Sequence, residues 1–132
     1  MEAPSDAPVV GFAEAITAYD VDAALAVCDP EVEFLSVLAV DGKAYVGHEG
    51  IRQYFEDIES AWDEWAVEVH RTAVTPDGRV EIEMTMRARG RESGAAIAVF
   101  AAHIWTLRDG KLLRNEPFRE RGPAVEAAGL GE

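Results

Sequence analysis

Apolar residues in the first half of the chain recur at steps of three and four, the spacing of one helix face. This pattern predicts three helices. The first starts at Val9, and the third occupies residues 50–62. Between them, Asp20 is placed to cap a short second helix, which Pro30 stops. Cys28 is expected to close the apolar side of a helix.

The rest of the chain alternates between apolar and polar residues, which is the pattern of half-buried strands. Asp-Gly pairs at 77–78 and 109–110 predict hairpin turns between them. The predicted strands are 31–40, 65–74, 79–91, 95–108 and 111–118. Helices followed by an antiparallel meander predict an α+β fold, with the helices packed on one face of a curved sheet.

The alternation is clearest in the segment VEIEMTMRAR. Its apolar residues at 80, 82, 84, 86 and 88 share one face of the strand, which we expect to face the helices. Glu81, Glu83, Arg87 and Arg89 share the other face, which is expected to be exposed to water or to a second copy of the chain.

Length and charge limit the kinds of protein that the chain can be. The 132 residues fit a flexible lead-in over residues 1–8 and a single domain over residues 9–130. A formal net charge of −13 repels nucleic acid and anionic membranes, so neither is an expected partner. One cysteine, no signal-like start and no long apolar run favour a cytoplasmic protein.

Three motifs, DPEVEF, YVGHEGIRQYF and HIWTLRDGKLL, occur in an order that resembles the SnoaL-like branch of the nuclear transport factor two-like superfamily. The resemblance covers residues 9–130. It implies a cone-shaped fold, in which three N-terminal helices pack in the concave face of a strongly curved, mostly antiparallel sheet, with a pocket at the open end. It also implies homodimers through the convex sheet face. The superfamily contains isomerases, polyketide cyclases, dehydratases, epoxide hydrolases and binding proteins, so the fold alone does not fix the function.

Two known chemistries of this superfamily are not expected. The resemblance places Phe12 and Phe34 where ketosteroid isomerases carry a tyrosine and a catalytic aspartate, and His103 where they carry a second acid. Its epoxide hydrolases need an Asp-Arg-Asp set with two members two residues apart. The pairs with that spacing, Glu81 with Glu83 and 87 with 89, lie on the face away from the predicted core.

His103 is the candidate catalytic residue. Strand period turns it to the same face as Ala101 and Trp105, and the small alanine would leave space beside the imidazole. An ordinary histidine pKa near 6.5 suits proton transfer at neutral pH. The alternative is a core histidine whose ring is held by a backbone carbonyl or by Asn115.

A pocket around His103 would bind a small, mainly apolar organic molecule. Asn115 is expected to lie near His103 across a hairpin and to orient the ligand. The other predicted ligand-binding residues are Phe12, Phe34, Tyr45, Trp62, Trp65, Ala101 and Trp105. No metal site or cofactor is predicted, because His48 falls in a turn, His70 faces outward and no carboxylates share their spacing.

Two functions remain open. The first is a SnoaL-like protein that binds a small molecule, as an isomerase, cyclase or hydrolase type of enzyme with His103 transferring a proton. The second is a non-catalytic, dimeric binding or interaction module whose cone is filled by side chains. A deep cavity that reaches His103 favours the first, and a collapsed cone favours the second.

The outer sheet face is predicted to form a homodimer, because strand period groups Phe100, Ala102, Ile104 and Thr106 into an apolar strip there. Light scattering at micromolar concentration should give about twice the chain mass of 14.4 kDa. A mass near that of one chain would contradict the prediction.

Overall fold

Four helices and six strands make up residues 5–36 and 44–130, the parts of the chain that the computed structural model describes. The helices are α1 (Ala7–Ala18), α2 (Val21–Ala26), α3 (Gly47–Ala61) and α4 (Arg121–Ala128). The strands are β1 (Cys28–Leu35), β2 (Ala44–Val46), β3 (Trp62–Val74), β4 (Val80–Gly90), β5 (Ala96–Arg108) and β6 (Lys111–Phe118).

The strands form one curled sheet in the order β2-β1-β6-β5-β4-β3. All neighbours are antiparallel except β1 and β6, which run parallel. Helices α1 to α3 pack into the concave face, where their buried apolar residues join those of the strands in one core. The predicted fold class is therefore confirmed.

Helices α1 and α2 lie close to the positions that the sequence predicts for them. Helix α1 begins at Ala7, inside the predicted lead-in, because Pro8 in the first turn needs no N–H partner. Residues 1–4 of that lead-in lie outside the described residues. The Asp20 side chain caps α2 by accepting a hydrogen bond from the Ala23 N–H at 3.1 Å.

The expectations for Pro30 and Cys28 are both wrong. The helix ends at Ala26, and Pro30 lies inside β1 instead of stopping the helix. A proline fits there because the pairing of β1 with β6 is irregular between Cys28 and Glu33, so no regular ladder requires its missing N–H. Cys28 begins the strand and is buried, and burial raises the pKa of its thiol to about 12.

The middle of the chain also differs from the prediction. Helix α3 begins at Gly47, three residues early, so His48 lies in its first turn with Nε2 3.0 Å from the Cys28 carbonyl oxygen. Strand β3 takes over at Trp62, the predicted end of the helix. The predicted end of the first strand, residues 37–40, lies outside the described residues.

Helix α4, which the sequence pattern does not predict, covers part of the outer sheet face. It contacts β4, β5 and β6 and buries Ala124 and Ala128. Ala102 and Ile104 are consequently buried, so the predicted apolar strip is not an exposed surface. The homodimer stays a prediction, and within the strip on β5 Phe100 and Thr106 remain partly exposed.

Glu81 and Glu83 occupy the predicted outer face of β4 but are fully buried instead of solvated. Arg71 of β3 contacts both, with Nη2 3.2 Å from Glu81 Oε1 and Nε 3.2 Å from Glu83 Oε2. Arg121 of α4 places Nε 2.8 Å from Glu83 Oε1. The two arginines and helix α4 exclude the water that would otherwise reach this face of the sheet.

Burial raises the pKa of Glu81, and the hydrogen bond and negative charge of Glu83 raise it further. The folded chain therefore binds this proton more tightly than the unfolded chain does. Glu81 destabilises the fold at pH values above its raised pKa, and that cost disappears as the pH falls below the ordinary value of 4.5.

Replacing Glu81 with Gln, which has the shape of the protonated acid, should raise the free energy of unfolding at about pH 8. The gain should shrink as the pH falls toward about 4. The matched variant Glu83→Gln should lose roughly 1 to 3 kcal/mol, because it breaks contacts with both arginines, which are themselves about half exposed. Urea denaturation at the two pH values measures the free energy of unfolding of both variants. Equal destabilisation by the two variants at pH 8 would contradict the raised pKa of Glu81.

Candidate ligand-binding site

A cavity of about 20 Å³ lies between helix α1 and the concave face of the sheet. This volume accommodates about one water-sized group. Eleven residues line it: Val9, Phe12, Ala13, Ile16, Phe34, Val67, Ile82, Met84, Met86, His103 and Trp105. His103 supplies the only polar group of this lining apart from the Trp105 indole.

Sequence periodicity explains how the lining assembles. Helix α1 presents its lining residues at steps of three, one and three, which is one helix face. Strand β4 presents three consecutive inward positions, and β5 presents His103 and Trp105 two residues apart. Four predicted site residues thus meet at the cavity: Phe12, Phe34, His103 and Trp105.

Aromatic rings form the wall around His103. The rings of Phe34 and Trp105 are parallel with centroids 5.8 Å apart, and Phe12 meets Trp105 edge-on at 5.6 Å. The His103 imidazole meets Phe34 at 5.8 Å and an interplanar angle of 68°. Such packed aromatic contacts fix the imidazole's position without giving it a hydrogen bond.

The His103 side chain is buried and lacks a polar partner on one nitrogen. The residue is 3% exposed, and its Nε2 atom has no hydrogen-bond partner among the described residues. Burial lowers the pKa of the imidazole from 6.5 to about 4, because the charged form loses its hydration. His103 is therefore neutral at neutral pH.

No hydrogen bond joins Asn115 to His103 among the described residues, because the Asn115 amide binds the backbone of Leu35. Its Oδ1 accepts a hydrogen bond from the Leu35 N–H at 2.8 Å, and its Nδ2 donates one to the Leu35 carbonyl at 2.9 Å. Strand register pairs Asn115 with Trp105 and pairs His103 with Pro117. The Asn115 side chain therefore joins β6 to β1. The sequence alone does not show which backbone groups this side chain binds.

The remaining predicted site residues lie outside the cavity lining. Ala101 is buried opposite Met84 in the sheet. Tyr45 donates a hydrogen bond from its hydroxyl to Asp57 at 2.6 Å. Trp62 and Trp65 lie together with ring centroids 6.0 Å apart, and Trp65 borders a separate cleft of about 470 Å³ at the other end of β3 to β5.

Sequence reasoning did not single out seven of the lining residues. These are Val9, Ala13, Ile16, Val67, Ile82, Met84 and Met86. The helical and strand periods that place most of them in the core were visible, but those periods do not distinguish cavity lining from closely packed core.

The three histidines do not belong to a metal-binding arrangement among the described residues. Within residues 5–36 and 44–130, no group of three or more His, Cys, Asp or Glu side chains is arranged to hold a metal ion. His70 is exposed, with Nε2 2.6 Å from the Thr85 hydroxyl oxygen. In the same ranges no helix has the length and apolar character needed to cross a membrane.

A family model of the SnoaL-like domain matches residues 9–115. The chain belongs to the SnoaL-like family. The resemblance drawn from its motifs is thereby confirmed, and the SnoaL-like family lies within the nuclear transport factor two-like superfamily, whose fold the structure shows. No curated protein matches the chain.

Solved structures share the fold of this SnoaL-like protein over nearly its whole length. A protein with a ketosteroid isomerase-like fold from Catenulispora acidiphila, in complex with trimethylamine, is 16% identical with a TM-score of 0.75, covering 98% of this chain and 96% of that one. An NTF2-like protein from Burkholderia thailandensis is 20% identical with a TM-score of 0.75, covering 98% of each. TerC, co-crystallised with polyporic acid, is 20% identical with a TM-score of 0.72, covering 92% of this chain and 94% of that one. At these identities the likeness shows the fold alone.

The lowered pKa of His103 predicts a specific dependence of stability on pH. The folded chain binds this proton less tightly than the unfolded chain, so the stability present above about pH 6.5 is lost as the pH falls toward 4. Replacing His103 with Leu should abolish that loss. As the pH falls from about 6 to 5, the free energy of unfolding of the variant relative to that of the original chain should rise by about 1 kcal/mol per pH unit.

Chemical denaturation across this range measures the effect. The control is His70→Leu, which removes an exposed imidazole but keeps His103, so the loss of stability attributed to His103 should persist. Parallel stability profiles for the original chain and His103→Leu would show that His103 is protonated as easily in the folded chain as in the unfolded one.

Proposed function

We propose that this SnoaL-like protein binds a small, mainly apolar organic molecule between helix α1 and the concave sheet face. The observation that carries the proposal is that His103 lines an otherwise apolar cavity, and that its buried Nε2 atom has no hydrogen-bond partner among the described residues. Small-molecule sites combine apolar walls with a few fixed polar groups in this way.

The energetics favour a ligand with one hydrogen-bonding group. A buried polar atom without a partner costs roughly 1 to 3 kcal/mol, and a ligand hydroxyl or carbonyl that pairs with Nε2 would recover part of that cost. A charged ligand would lose its hydration without gaining an opposite charge, because no ionised side chain lines the cavity. The proposed ligand is therefore uncharged.

A ligand larger than a water-sized group needs more room than the cavity of about 20 Å³ offers. Met84 and Met86 can provide it, because unbranched methionine side chains change rotamer readily. Two proteins of the same fold were solved with organic molecules, trimethylamine in one and polyporic acid in TerC. These examples support the use of this fold for binding small organic molecules.

Proton transfer by His103, as in an isomerase, cyclase or hydrolase type of enzyme, is the more demanding form of the proposal. An imidazole with a pKa of about 4 is a weak base, and its acid form is scarce at neutral pH. Catalysis would require a ligand that develops negative charge beside the ring and so raises this pKa. The geometry of the site supports binding better than catalysis.

The small cavity volume favours a second candidate, a non-catalytic module whose cone is filled by side chains. The two candidates differ in what they predict for probe molecules. A filled cone should bind none, whereas a ligand site that opens by side-chain movement should bind compact, uncharged probes.

Toluene and phenol are suitable probes, because they have nearly the same shape. Phenol carries a hydroxyl group where toluene carries a methyl group. The site should bind phenol about tenfold more tightly than toluene, as expected for one hydrogen bond to Nε2. In His103→Leu the preference should disappear, whereas His70→Leu should retain it. Titration followed by tryptophan fluorescence measures both affinities, since Trp105 lies in the cavity wall.

Benzoate, the charged member of the same series, should not bind. Absence of binding by both toluene and phenol would overturn the proposal and leave the filled cone. Binding of both with no preference for phenol would overturn the role of His103.

A further inference from the structure

The inner cavity approaches the surface at one residue. Ten of its eleven lining residues are buried, and Val67 alone is partly exposed. Val67 belongs to β3, the edge strand of the sheet, where it faces helix α1. The seam between α1 and β3 is therefore the thinnest part of the cavity wall among the described residues.

Thr17 closes this seam at Val67 itself. Its hydroxyl oxygen accepts a hydrogen bond from the Val67 N–H at 2.9 Å and donates one to the Val67 carbonyl at 3.4 Å. Both backbone groups point away from the sheet because β3 is its edge, so a side chain from α1 takes the place of a neighbouring strand. Thr17 is exposed and follows directly after the lining residue Ile16.

A second contact joins the other end of α1 to the same strand. The Thr72 hydroxyl donates a hydrogen bond to the Asp6 carboxylate at 2.6 Å. This contact precedes the lining residues of α1 in sequence and involves no lining residue. The two contacts thus offer a matched comparison, since only the one at Thr17 lies on the backbone of the cavity wall.

We propose that molecules enter the inner cavity through the seam between α1 and β3, and that the contact between Thr17 and Val67 controls the opening. This inference rests on the proposed function for its ligand but not for its structural test. Exposed hydrogen bonds of this kind are individually weak, so the seam opens locally without unfolding of the core. Opening brings solvent and small molecules to His103.

The first experiment needs no ligand. Diethyl pyrocarbonate acylates neutral imidazoles, and mass spectrometry can follow His103 with the exposed His70 as an internal reference. In Thr17→Val, which keeps the side-chain shape and removes the hydroxyl, acylation of His103 should be about tenfold faster, and hydrogen exchange of the Val67 amide should rise with it. Thr72→Val should change the rate of His103 acylation by less than about twofold.

Two outcomes would overturn the inference. An unchanged rate of His103 acylation in Thr17→Val would exclude the seam as the route, even if the Val67 amide exchanged faster. Equal acceleration by Thr17→Val and Thr72→Val would show general loosening of α1 instead of control by Thr17.

The second experiment uses phenol as the probe. In Thr17→Val both its association and its dissociation rates should rise about tenfold, with little change in the dissociation constant, because the substitution lies outside the cavity lining. Faster acylation without any phenol binding would defeat the proposed function and leave the access route standing. Phenol binding with unchanged rates would defeat the access route and leave the proposed function.

Discussion

The parallel contact between Phe34 and Trp105 is the interaction on which the site depends. Phe34 is on β1 and Trp105 is on β5, with β6 between them in the sheet. The ladder between β1 and β6 is irregular, so backbone pairing alone holds β1 weakly. The two hydrogen bonds between the Asn115 side chain and the backbone of Leu35, one accepted and one donated by Asn115, compensate because they fix β1 one residue beyond Phe34.

The fixed aromatic pair also explains why the His103 Nε2 atom has no hydrogen-bond partner among the described residues. Its ring meets Phe34 and Trp105, both of which present carbon surface to it, and Asn115 is occupied by Leu35. A core histidine normally has its nitrogens satisfied, because an unpaired buried nitrogen reduces stability. The aromatic packing that stabilises the cone therefore leaves one nitrogen of this cavity-lining imidazole without a hydrogen bond.

Periodicity in the sequence was sufficient for the fold and for the faces of the strands. The period of two assigns His103 and Trp105 to the inner face and Glu81 to the outer face, and the structure agrees on each. The Asp-Gly turn at residues 109–110 is equally direct, since both residues adopt the positive φ angles that such a hairpin uses.

What periodicity cannot supply is the identity of the group that packs on each face. Helix α4 has a weak apolar pattern, so the cover that it places over Ile104 and the glutamates could not be predicted. The partner of Asn115 depends on how β1 is positioned in the sheet, which is a long-range property. Cavity volume depends on the exact packing of side chains and is beyond any pattern of residue types.

Glu83 and His103 are buried on opposite faces of the sheet, and the groups that surround them differ. On the outer face Glu83 is buried with two arginines that reach it from β3 and α4. On the inner face His103 is buried at a comparable depth with apolar and aromatic neighbours. Strand β3 and helix α4 thus supply charged partners to a carboxylate that is buried on the sheet. The cavity lining instead leaves its imidazole neutral and open to a hydrogen bond, which is the condition that an uncharged ligand requires.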